Sequence, residues 1–112
     1  MKKIVIKNVS ADELLTLQQE MYDYHNALEK TFKKASNLLD AIITLDIAFR
    51  LWFLFRTKIE RQTPKNGFQI SLNASEAAVL LKVCLWSHKI GDYERNVKLK
   101  YSNYLDQQIK SL

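Results

Sequence analysis

The sequence predicts a mostly α-helical domain, a four-helix bundle-like arrangement around a central apolar helix at 37–61, with two short β-strands at 3–7 and 68–72. Three observations predict it. The run NLLDAIITLDIAFRLWFLFRTKIE, from Asn37 to Glu60, has apolar residues on almost every side at helical period. Side chains able to cap helix N-termini stand before each helical stretch. The chain has only two Gly and one Pro, which favours long regular elements over tight turns.

In chain order, Lys3–Lys7 is β-branched and alternates in part, as a short strand does. Ser10-Ala-Asp-Glu13 follows with the spacing of a capping box, so a helix should begin there. Leu14, Leu17, Met21, Tyr24 and Leu28 recur at threes and fours as one stripe. Lys30, Lys33 and Lys34 gather where cations suit a helix end.

The break before the apolar helix is weakly marked. No Gly or Pro stands in Lys33–Asn37, and the stripe can run on through Ala35, Leu38, Ile42, Leu45, Phe49 and Trp52. One continuous helix to Arg61 would be about 75 Å long. It would need an intertwined oligomer to cover it. A hairpin, with Ser36 or Asn37 as the second N-cap, is the expectation instead. Its two arms are similar in length, and it returns the chain so that Phe68–Leu72 can meet the first strand.

Thr63-Pro64-Lys65-Asn66-Gly67 reads as a turn. Asn73 and Glu76 give another capping signal, with Ser75 competing, for a third helix to about Lys89. Gly91 is read as its C′ residue and Asp92 as the cap of a fourth helix. The fourth helix should present Tyr93, Val97, Tyr101, Tyr104, Leu105 and Ile109. Strand, capped helix and second helix thus occur twice, without enough identity to claim a duplication.

At 112 residues, the expectation is a single domain, 1–112. One cysteine excludes an internal disulfide. The N-terminal apolar run is broken by Lys7, too short for a signal peptide. Asp46, Arg50 and Arg56 inside the apolar helix argue against a membrane span, because charge at that depth is costly. A cytoplasmic protein with no membrane association is expected.

Candidate chemistry is thin. Cys84 and His88 are four apart, but a structural zinc site wants four ligands and only His25 remains as another imidazole or thiolate donor. Asp46 and Arg50 suit an exposed pair within one helix. The acids are scattered and mostly sit at helix starts. Trp52, Phe53 and Phe55 point three ways, so the third and fourth helices should close over them, and any uncovered remainder would mark an interface. No catalytic, metal or cofactor residues are assigned.

A net charge of +5 permits a phosphate-binding or acidic-partner surface. Arg56, Arg61, Lys65, Lys98 and Lys100 are the candidate partner or nucleic-acid contacts. The functional expectation is a small non-enzymatic protein that binds a protein partner, as a homodimer or larger assembly. The alternative is a nucleic-acid-binding accessory protein using its basic helix faces. Small proteins of this type are frequent in phages and mobile elements, the origin expected by type.

Overall fold

The computed structural model describes residues 2–112. The elements run β1 (Ile4–Val9), α1 (Ala11–Thr31), α2 (Leu38–Ile59), β2 (Phe68–Leu72), α3 (Ala74–Leu85) and α4 (Asp92–Lys110), with a 3₁₀ turn at Phe32–Lys34.

Each strand ends directly on the N-cap of the next helix. Ser10 accepts the Glu13 N–H at 3.1 Å, while the Glu13 carboxylate accepts the Ser10 N–H at 3.0 Å. Asn73 and Glu76 repeat the exchange at 2.8 Å in both directions, which decides for Asn73 over Ser75. These reciprocal bonds satisfy orphan amides and fix where each helix starts.

The hairpin forms. Asn37 caps α2 by accepting the Asp40 N–H at 3.0 Å. The pairs Tyr22–Trp52 and His25–Phe49 meet across α1 and α2, so the helices run antiparallel. The chain returns, and β1 and β2 pair antiparallel with Ile6 opposite Ile70. A bulge between Ile6 and Val9, with Asn8 at φ 60°, carries β1 two residues beyond the expected end, so that Val9 meets Phe68. Gly67, at φ 85°, lets the backbone pass close to β1. A Cβ there would lie 2.9 Å from the Val9 carbonyl oxygen.

The core joins Ile4, Ile6, Ile70 and Leu72 of the sheet to Leu14, Leu17 and Met21 of α1. From the other helices it takes Leu51 and Phe55, Leu80 and Val83, and Val97, Tyr101 and Leu105. Tyr104 donates its hydroxyl to the Val5 carbonyl, so α4 is fastened to β1.

Two expectations are corrected. α3 stops at Leu85 rather than near Lys89. The Trp86 N–H still bonds back to Lys82 and Val83, but its backbone is extended (φ −66°, ψ 126°) and its carbonyl accepts from Lys98 Nζ instead of continuing the helix. Gly91 is then the N-cap of α4, with Asp92 in the first turn. Because His88 lies outside α3, it and Cys84 do not share a helix face.

The apolar helix is also not buried all round. α2 buries Ala41, Thr44, Ile47, Ala48, Leu51 and Phe55. Its opposite side is open. The shortened α3 contacts α2 along one flank, and α4 packs mainly on α3 and α1.

Candidate functional site

The open side of α2 carries Leu38, Leu39, Ile42, Ile43, Phe49 and Phe53, each between 44% and 73% exposed. Six large apolar side chains on one helix are far more than the scattered single hydrophobics of an ordinary surface. The helix is amphipathic twice over. One stripe of mostly small residues lets α1 and α3 approach. A second stripe of large ones faces outward.

The aromatics of this side form one connected surface with α1. Ring centroids lie 5.9 Å apart for His25–Phe49, 6.0 Å for Tyr22–Trp52 and 6.0 Å for Phe49–Trp52. Phe53 extends the group, 5.8 Å from Trp52 and 6.1 Å from Phe49. Trp52 is half-buried at its centre rather than deep in the core. Tyr22, His25, Asn26, Phe49 and Trp52 line a shallow hollow of about 170 Å³. Leu15, also exposed, lies two turns before Tyr22 on the same side of α1.

Charges bordering the face are matched on their own helices. Arg50 and Asp46 form the expected exposed pair at 3.3 Å. Arg56 pairs with Glu60 at 3.1 Å and lies over the Trp52 ring at 5.4 Å. His25 approaches Glu29 at 3.6 Å. The face is therefore apolar and close to neutral.

The basic residues singled out from the sequence do not behave as one group. Lys98 is the clear correction. It is only 3% exposed, and its ammonium donates at 2.6 Å to both Glu20 Oε1 and the Trp86 carbonyl. A lysine so enclosed cannot reach a phosphate. Lys100 is exposed and donates to Glu13 Oε2 at 2.7 Å. Arg61 and Lys65 are exposed beyond the end of α2.

Glu20 is as deeply buried as Lys98, and its Oε1 also lies 2.7 Å from His88 Nε2. His88 stacks on Trp86 at 3.9 Å, and Trp86 meets Tyr24 edge-on at 5.5 Å. This cluster ties α1 to α4 and to the loop before it. Buried charge of this kind persists when both signs are present and hydrogen-bonded. The arrangement fixes which turn of α4 lies against α1, and every polar atom in it is occupied by another of its members.

Cys84 lies beside the cluster. Burial, helped by the Glu20 charge and opposed by Lys98, pushes its thiol up to about 12. It remains a protonated, small apolar side chain rather than a nucleophile. Among the described residues, no group of three or more His, Cys, Asp or Glu stands where it can hold a metal ion. No described helix is long and apolar enough to cross a membrane.

Comparison with protein-family models, with curated proteins and with solved structures finds no match for this chain.

Proposed function

We propose that this protein acts without catalysis, by binding another protein through the apolar α1–α2 face. One observation carries the reading: Ile42, Phe49 and Phe53 stand about half exposed on a continuous aromatic surface that the chain's own helices leave open. Contiguous apolar surface of this kind marks protein contact sites. Aromatic residues at its centre, with charged residues at its edge, are also the composition of interface cores. A cytoplasmic location and a phage or mobile-element origin belong to the same reading. The alternative, nucleic-acid binding by the basic helix faces, loses Lys98 to the interior and has Lys100 engaged by Glu13.

The test is side-chain footprinting with hydroxyl radicals in the cells that make the protein, against the purified chain at high dilution. Phe49 and Phe53 should be protected in cells relative to the dilute protein. Equal, full reactivity in both would mean that the face engages nothing, and the reading would fail.

A further inference from the structure

We infer that the occupant of this face is a second copy of the chain, with the two α2 helices antiparallel about a two-fold axis level with Ala48. The inference rests on the interaction reading above and names its partner.

The spacing of the exposed stripe comes first. Leu38, Ile42, Leu45, Phe49 and Trp52 alternate steps of four and three along α2. That is the seam of a helix meeting another helix lengthwise. Here the seam does not face the chain's own core, which uses Ala41, Thr44, Ile47, Ala48, Leu51 and Phe55. A seam of this kind calls for a further helix, and α2 itself carries the complementary pattern.

The charges select both the partner and the direction. Each ionic group along the face is already matched by an opposite one a turn away, so the face presents no net charge for an acidic or basic partner to answer. A neutral apolar face fits another neutral apolar face. In a two-fold pairing each contact occurs twice, because both copies present the same patch. With the axis level with Ala48, Asp46 lies opposite the partner's Arg50, and Arg50 opposite the partner's Asp46. The same register sets Phe53 against the partner's Ile43 and brings the two Phe49 rings together near the axis. A parallel pairing would instead set Asp46 on Asp46 and Arg50 on Arg50, and would align the two helix dipoles unfavourably.

The size is adequate. The 22 residues of α2 span about 33 Å, and two helices side by side are about 20 Å wide, giving a face of about 660 Å². Stable interfaces bury about 800 Å² on each partner. Leu15 and Tyr22 lie on the α1 side of this footprint.

The test combines sedimentation with directed cross-linking. The purified protein should sediment as a dimer at micromolar concentration. Phe49→Glu should raise the dimer dissociation constant by on the order of 100-fold or more, since a central aromatic is lost from both sides at once. Phe49 is half exposed in the single chain, so the variant should keep the helical circular dichroism of the parent. For direction, Ile43→Cys and Phe53→Cys proteins are made in a Cys84→Ala background. Antiparallel pairing predicts a disulfide-linked dimer when the two are mixed, and little when either is oxidised alone. Linkage of each variant to itself would overturn the antiparallel arrangement. A dimer that survives Phe49→Glu would place the contact elsewhere and overturn the inference. A monomer at all concentrations would also overturn it. In that case, protection of Phe49 and Phe53 in cells would still leave the interaction reading standing with a different partner. Loss of protection as well would remove both.

Discussion

Lys98→Met should be among the most destabilising single changes in this protein, although lysine is ordinarily a surface residue. The substitution keeps most of the side chain's volume and removes the ammonium. Glu20 is then left 3% exposed, with its carboxylate facing only His88. Breaking a buried ion pair by removing one partner costs about 3–5 kcal/mol, chiefly because the remaining charge is stranded. A domain this size has a total stability of roughly 5–15 kcal/mol. With a urea dependence of about 1–3 kcal/mol per molar, the unfolding midpoint should fall by about 1–3 M. Glu20→Leu should cost a comparable amount, because it strands the ammonium instead. The double variant Glu20→Leu/Lys98→Met removes both charges together. It leaves the Trp86 carbonyl short of a partner, an effect of about 1–3 kcal/mol, while the partly exposed His88 turns to water. It should therefore be more stable than either single variant. Urea unfolding followed by far-UV circular dichroism at pH 7 reads all four proteins. If Lys98→Met costs less than about 1 kcal/mol, or the double variant costs the sum of the singles, the cluster is not a mutually dependent buried pair and the reasoning fails.

Three further outcomes follow from other sites. Burial raises the Glu13 carboxyl, but bonds from Lys100, the Ser10 N–H and the Tyr101 hydroxyl outweigh it and hold it below the ordinary 4.5. The stability it supplies is present above that value and disappears as pH falls through the lower folded-state value. Glu13→Gln should therefore destabilise at pH 7 but flatten the loss between pH 7 and acid, as read from urea midpoints along a pH series. Cys84, 7% exposed with its thiol pushed up to about 12, should react with a thiol reagent at mildly alkaline pH only as fast as the chain opens. Rapid labelling of the native protein would contradict its enclosure. Gly67→Ala should cost about 1–3 kcal/mol by urea unfolding, because φ 85° strains any side chain and the new Cβ would press on the Val9 carbonyl.

What was legible in the sequence was largely what is local. The caps at Ser10, Asn37 and Asn73 are decided by atoms within three residues, so their signatures carried over directly. The strand pairing was legible because a hairpin of matched arms leaves few other places for Phe68–Leu72. The facing of α2 was not. Both of its stripes are apolar, and periodicity does not distinguish them. Residue size does: Ala41, Thr44 and Ala48 mark the side where neighbouring helices come close, whereas Ile42, Phe49 and Phe53 sit where nothing approaches. The buried ion pair was hidden for a related reason. Glu20 lies on the arc of Leu17 and Met21, and Lys98 on the arc of Val97 and Tyr101. Opposite charges on two apolar arcs are a signal, but only once the two helices are known to be neighbours. The early end of α3 rests on a bond between the Trp86 carbonyl and Lys98, which no local pattern reveals.

The pairing of β1 with β2 also sets a timetable for folding. Ile4 is matched to Leu72, so the whole α1–α2 hairpin must be synthesised before the first strand has anything to pair with. At about 5–20 residues per second, that interval lasts several seconds. Throughout it the nascent hairpin has both stripes of α2 unsatisfied, and β1 offers bare backbone to any neighbour. Glu20, too, carries its charge without Lys98 until α4 has emerged. The N-terminal half therefore cannot settle by itself and depends on the arrival of the second half to close the sheet and neutralise its own interior.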